Sequence, residues 1–234
     1  MDLHQKAAAT SGGDAPDHGG LRAVFVNASL KRDWNDSRTA LLLGRVAAPM
    51  ERAGVAVDRI HMRDHWIAYG VEPDMAAHER VRDDWPGVWT RIRDADILIV
   101  GTPSRLGGAS SLCHQLIERL HGMSGLSNDR GQPVFHGKVG GVVVTGHEDG
   151  ATHAAATVGH ALSCLGFTIP PRFGPGRIGE EAAGSIDGDA AVLARDAMHL
   201  ARVLRGGFPD HGNDRRAGQG EGRDPSPPDP GHRP

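Results

Sequence analysis

Long apolar runs, cysteines, an excess of positive charge and the common nucleotide-binding glycine motifs are all scarce or missing in this chain. No stretch approaches the roughly 20 apolar residues that span a bilayer, and residues 1–17 carry neither a basic n-region nor an apolar h-region. A protein of the cytoplasm with no membrane partner is expected. The two cysteines, Cys113 and Cys164, fall in expected helices among apolar neighbours and are expected to be buried, reduced thiols. A formal net charge of −3 argues against nucleic-acid binding, which needs a concentrated cationic surface. Neither G-x-G-x-x-G after a strand nor G-x-x-x-x-G-K-S/T occurs, which disfavours a Rossmann dinucleotide site and a P-loop NTPase.

Metal and hydrolase signatures are missing too. His147-Glu148 opens like the zinc helix H-E-x-x-H, but position 151 is Ala. His153 and His160 share an expected helix without a neighbouring cysteine pair, so no metal site is expected. Ser110 and Ser111 lie outside any G-x-S-x-G elbow.

What the chain does hold is an alternation of short β-branched runs with longer helical periods between residues 21 and 206. Strands are expected at 22–27, 56–62, 96–100, 139–144 and 167–169. Helices are expected at 37–53, 85–94, from 110 onward, 151–165 and 190–204. Five parallel strands in the order 2-1-3-4-5, covered by helices on both faces, make an α/β, flavodoxin-like three-layer sandwich. A chain of 234 residues can bury roughly 70% of its unfolded surface without disulfides or metals. Residues 1–20 are small and polar, and 208–234 are rich in Gly and Pro among Asp, Arg and His. Both are expected to be disordered tails flanking one domain at 21–207.

Ligands of open parallel sheets sit beyond the carboxyl ends of the strands, and three of those ends carry suitable residues. After the first strand, Ser29, Ser37 and Thr39 offer hydroxyls at a helix start, where unpaired N–H groups favour an anion, and Lys31 adds a cation. Such a turn suits a single terminal phosphate, as on FMN, although Ser37 and Thr39 could equally do no more than cap the helix. After the third strand, Thr102 to Ser111 joins a rigidifying Pro103 to the glycines 107 and 108, which let backbone approach a flat ring; Ser110 could also be only an N-cap. After the fourth, Thr145 and Gly146 would meet the ring edge, while Glu148 and Asp149 could orient ribityl hydroxyls or cap a helix. The connector from Trp66 to Pro73 is expected as a lid, an interface or part of the core.

The segments Asn27-Ala28-Ser29-Leu30-Lys31, Asp83-Asp84-Trp85-Pro86, residues 95–103, Leu106-Gly107 with Ala109-Ser110-Ser111, and Val144-Thr145-Gly146 with Glu148-Asp149-Gly150-Ala151 follow one another in order. By them the chain resembles the flavodoxin-like NADPH-dependent FMN reductase family over about residues 21–180. The resemblance implies an FMN-dependent oxidoreductase that takes hydride from NADPH or NADH and passes electrons to free flavin, a quinone or another small acceptor, with a homodimer as a possible assembly. It implies that Ser29, Lys31, Ser37, Arg38 and Thr39 hold the FMN phosphate. Thr102, Pro103, Ser104, Arg105, Leu106 and Gly107 would line the flavin ring. Thr145 and Gly146 would meet its other side, with His147, Glu148, Asp149 and Gly150 nearby. Two positions depart from the family pattern: Arg105 stands where an aromatic is usual, and His147 where Asn is usual. Arg105 is thus a candidate for tuning the flavin. An electron carrier without hydride transfer, or a cofactor-free interaction domain on the same scaffold, are the alternatives.

Overall fold

The computed structural model describes residues 18–34, 36–79, 82–146, 148–171 and 183–206. Among these residues, four parallel strands, β1 (Arg22–Asn27), β2 (Ala56–His61), β3 (Ile97–Pro103) and β4 (Val139–Thr145), stand in the order β2-β1-β3-β4. β3 and β4 are apolar up to the threonines near their carboxyl ends because both of their faces are covered. β2, at the edge, is buried only at its end.

The helices are α1 (Arg38–Arg52), α2 (Met75–Glu79), α3 (Trp85–Arg93), α4 (Ser111–Gly122), α5 (Glu148–Leu165) and α6 (Ala183–Arg205). Alternation along β1 decides which layer each residue feeds. Ala23 and Phe25 join Leu43, Val46 and Met50 of α1 and Leu193, Ala194 and Ala197 of α6 in one core. Val24 and Val26 join Val88 and Ile92 of α3, Leu116 and Leu120 of α4, and Val158 and Leu162 of α5 in the other. α6 begins earlier than the expected 190. Its first residues, Ala183 to Asp189, are small or polar apart from Ile186 and show no apolar stripe, so its periodicity emerges only at Ala190.

The expected fifth strand is not formed: residues 167–169 are reduced to a single parallel bridge of Thr168 beside Val139. Thr168 donates to the Lys138 carbonyl (2.8 Å) and accepts from Gly140 N–H (2.9 Å). Pro170 and Pro171 follow at once, and proline has no N–H with which to continue a ladder. The folded part also reaches back into the expected N-terminal tail. His18 is buried, its N–H donates to the Ala53 carbonyl (3.1 Å), and Arg205 Nη1 donates to the Gly20 carbonyl (2.7 Å). Residues 1–17 and 208–234 lie outside the described residues.

Between β2 and α3 the chain was expected to be irregular, and it contains a 3-10 turn at Met62–Asp64 and the short α2. An ion pair anchors it. Arg119 of α4 and Asp83 are both fully buried with Nη2 to Oδ2 at 2.7 Å. Asp83 also accepts from the N–H groups of Ala68 (3.1 Å), Met75 (3.4 Å) and Trp85 (3.1 Å). The guanidinium sits 5.3 Å from the Trp85 ring centroid. Gly122 lies against the same connector, where a Cβ would collide with the Val71 carbonyl. Ile67 and Ala68 are thereby held inward, while Trp66 and Tyr69 are 66% and 82% exposed. Asp83→Ala would leave a buried guanidinium unpaired, at a cost of about 3–5 kcal/mol. Chemical denaturation should show a much lower midpoint, and an unchanged midpoint would contradict this role.

The thiols divide. Cys113 is buried, and desolvation pushes its pKa up to about 12 against a weaker opposing hydrogen bond from Thr102. Cys164 is exposed, against expectation. The inward stripe of α5 runs through Val158 and Leu162, and a position two residues past Leu162 is turned roughly 200° away from it. Native protein should therefore titrate one thiol with an aromatic disulfide reagent and denatured protein two. Modification of both at the same rate in the native state would contradict the assignment.

Candidate functional site

At the carboxyl end of β1 the side chain of Asn27 turns the chain back on itself, its Oδ1 accepting the Ser29 N–H (3.0 Å). This brings Ser29 Oγ to 2.8 Å from Ser37 Oγ, and both residues are buried. Ser37 is the N-cap of α1, its Oγ accepting Ala40 N–H at 3.2 Å. The capping expectation and the proximity to Ser29 therefore hold together. Lys31 and Arg38, close in the chain to Ser29 and Ser37, have exposed side chains. Thr39 is buried but faces elsewhere, its Oγ1 lying 2.9 Å from Thr145 Oγ1 at the end of β4.

The turn after β3 is a two-residue hairpin. Arg105 N–H donates to the Gly108 carbonyl (2.8 Å) and Gly108 N–H to the Arg105 carbonyl (2.9 Å). Both central residues have left-handed backbone, Leu106 at φ 50° and Gly107 at φ 82°, as the tight primed turn demands. Leu106 stands fully exposed at the tip, and Arg105 is exposed beside it. Thr102, in contrast, is fully buried: its Oγ1 accepts Ser110 N–H at 3.0 Å. Ser110 Oγ donates to the Ala28 carbonyl (2.6 Å) and accepts Cys113 N–H (3.2 Å), so it is the N-cap of α4. The hydroxyls of Thr102 and Ser110 thus belong to the framework.

The β3 and β4 turns were expected on opposite sides of a flat ring, but they touch. Ser104 N–H donates to the Thr145 carbonyl (2.7 Å), and a Cβ on Gly146 would come within 2.7 Å of Ser104 Cβ. A Cβ on Gly150, in the first turn of α5, would meet Ser104 Oγ at 2.9 Å and Gly107 Cα at 3.3 Å. Ser104 and Gly107 on one turn and Thr145, Gly146 and Gly150 on the other consequently form one continuous shelf rather than two jaws. Glu148 and Asp149 open α5, and His147 lies outside the described residues.

One neighbour of this site escaped the sequence reasoning. His61, the last residue of β2, is buried, with Nε2 3.0 Å from the Ser29 carbonyl, Nδ1 3.6 Å from Asp64 Oδ2, and the Trp34 ring edge-on at 5.8 Å. The register that pairs Asn27 with His61 is the signal. Once β2 is placed beside β1, its final residue must abut the turn.

A doubly wound sheet with a hydroxyl-lined helix start after β1 defines a flavodoxin-like flavoprotein class, and the donor set suits a phosphate monoester. The chain belongs to the NADPH-dependent FMN reductase family, whose description matches residues 21–175. Members of that family are oxidoreductases that work with FMN and a reduced nicotinamide. The 8-demethyl-8-aminoriboflavin-5'-phosphate synthase of Streptomyces davaonensis is 31% identical over 205 residues, covering 79% of each chain. A divalent metal cation transporter, MntH, of Mycobacterium bovis is 39% identical over 204 residues. That match takes in 81% of this chain but only 30% of the relative. The chain thus spans under a third of that relative, and among the described residues no helix is long and apolar enough to cross a membrane. The crystal structure of RosB with bound 8-demethyl-8-formylriboflavin-5'-phosphate has a TM-score of 0.68 at 30% identity, covering 80% of this chain and 81% of that one.

Gly101 of β3 is where the site depends on a missing side chain. A Cβ there would stand 2.7 Å from Leu43 Cδ1 and 2.9 Å from Thr39 Cγ2. Leu43 is buried in the α1 core, so its side chain can shift only against packed neighbours. Gly101→Ala should push the first turns of α1 outward and cost about 1–3 kcal/mol by overpacking, seen as a lower melting temperature. A melting temperature equal to wild type would show that α1 adapts freely.

Proposed function

We propose that the chain binds FMN with its phosphate at the β1–α1 turn and its ring over the shelf formed by the β3 and β4 turns. The reaction is oxidation of NADPH or NADH, with electrons passed to free flavin, a quinone or another small acceptor. The observation that carries the reading is the pair of hydroxyls of Ser29 and Ser37, 2.8 Å apart at the capped start of α1, with the cations Lys31 and Arg38 close to them in the chain. Two hydroxyls already within hydrogen-bonding distance of each other can exchange that contact for phosphate oxygens with little movement, and a helix start favours the anion. Thr39, bonded to Thr145, ties this turn to the shelf. FMN supplies the hydride chemistry when bound, so no acid/base side chain is required.

The protein's share is positional. Backbone of the Pro103–Gly108 hairpin offers N–H and C=O groups to the polar edge of the ring, and its rigidity follows from the two hairpin hydrogen bonds. Arg105 is assigned to the ring side, where a guanidinium favours negative charge on a reduced flavin. Glu148, Asp149 and Gly150 are assigned to the ribityl side of the shelf, together with His147. Trp66 and Tyr69 are proposed as cover for the site or as contact with a second copy of the chain, and a cytoplasmic supply of reduced nicotinamide suits the donor. The likeness to the Streptomyces davaonensis synthase supports a second reading, in which the flavin phosphate is itself the substrate.

Saturating FMN should shift the flavin absorbance band and raise the melting temperature. Ser29→Ala should weaken FMN binding about tenfold, the loss expected for one hydrogen bond to a charged group. Steady NADPH or NADH oxidation in the presence of flavin or quinone, with the FMN recovered unaltered in mass, separates the enzyme from both a carrier and a flavin-consuming synthase. No binding of FMN at any concentration would remove the proposal.

A further inference from the structure

His61 does more than fill the space behind the phosphate turn. Its Nε2 lies 3.0 Å from the Ser29 carbonyl, and a carbonyl only accepts, so Nε2 carries the hydrogen and donates it. The Trp34 ring packs edge-on against the imidazole at 5.8 Å, and Asp64 Oδ2 lies 3.6 Å from Nδ1. Trp34 and Ser29 belong to the two limbs of the same loop, so one buried imidazole braces both. The peptide group that follows Ser29 is planar and trans, which sets its C=O and its N–H in opposite directions. Holding the Ser29 carbonyl inward toward β2 therefore turns the Leu30 N–H outward, toward the exposed side where Leu30 and Lys31 stand. Among the described residues the Leu30 N–H has no protein acceptor, whereas Ala28 N–H is bonded to the Gly101 carbonyl and Ser29 N–H to Asn27 Oδ1.

We propose that His61 is a positioning residue: by fixing the Ser29–Leu30 peptide it presents the Leu30 N–H as a donor to the phosphate of FMN, and so gives the site its preference for FMN over riboflavin. This rests on the phosphate reading of the β1–α1 turn. Without the imidazole the peptide is free to rotate, and the Ser29 carbonyl loses its partner. Glutamine, with an amide N–H of similar reach, restores the donor; alanine does not.

The test is titration of full-length wild type, His61→Ala and His61→Gln with FMN and with riboflavin, read by flavin fluorescence. His61→Ala should bind FMN about tenfold more weakly, as for loss of one oriented hydrogen bond to a charged group, with riboflavin affinity unchanged and most of the loss recovered in His61→Gln. Equal weakening toward both flavins, unchanged FMN affinity, or a glutamine variant as weak as alanine overturns the proposal. Should His61→Ala fail to melt cooperatively, wild-type protein decides by NMR. The Leu30 amide and the His61 ring N–H should shift on adding FMN and stay in place with riboflavin, and an unmoved Leu30 amide overturns the role. Wild type that binds FMN no better than riboflavin sinks the phosphate reading and this proposal together. A preference that survives His61→Ala sinks only the assignment to His61.

Discussion

The hydroxyl of Ser110 holds together the end of the molecule on which everything else depends. It donates to the carbonyl of Ala28 at 2.6 Å, caps α4 through Cys113 N–H, and stands beside the Thr102 hydroxyl that accepts its own backbone N–H. These groups are buried, where an unmatched polar atom costs more than a matched one contributes. Each bond therefore constrains the others. Ala28 also donates its N–H to the Gly101 carbonyl, so both of its peptide groups are tied before the chain turns toward Ser29. The β1–α1 turn starts from a fixed point because β3 and α4 agree on where Ala28 must be.

From that point outward, two layers of support differ in kind. The hydroxyl pair and His61 act at hydrogen-bond range on the turn itself. The buried Arg119–Asp83 pair acts at a distance: it orders the connector so that Ile67 and Ala68 pack inward and Trp66 and Tyr69 face outward. An ion pair taken out of water contributes little net stability compared with apolar packing. Its value here is in specifying one arrangement of a long connector that has little regular structure of its own.

Much of this could be read in the sequence wherever a period was strong. The stripe Leu43, Val46, Ala47 and Met50 marks α1, and the unbroken run at 97–100 marks a doubly covered strand, because burial imposes those patterns directly. The head of α6 lacked a stripe and stayed hidden, and a valid short apolar run at 167–169 was cut off by two prolines. In the site, the pairing of Ser29 with Ser37 was legible because the two are close in the chain. His61 was not, since it reaches the turn only through strand pairing. Thr102 and Thr39 show the converse limit: hydroxyls in the right segment turned out to face the framework, which depends on side-chain direction and not on composition. The contact between the β3 and β4 turns likewise follows from Gly146 and Gly150 admitting close approach, a distance that no local pattern encodes.

The all-parallel sheet has a bearing on how the chain is made. Arg22 and Asp96 meet across a separation of 74 residues, and β4 can join only after β3 is in place. Every ladder must therefore wait for a long excursion of the chain to close, which slows folding relative to hairpin-built sheets. During that wait the valine-rich β4 segment is bare, and an unpaired apolar strand is prone to self-association. Synthesis from the amino end works against this hazard, because β1, β2 and β3 have already emerged when Val139 to Thr145 leaves the ribosome.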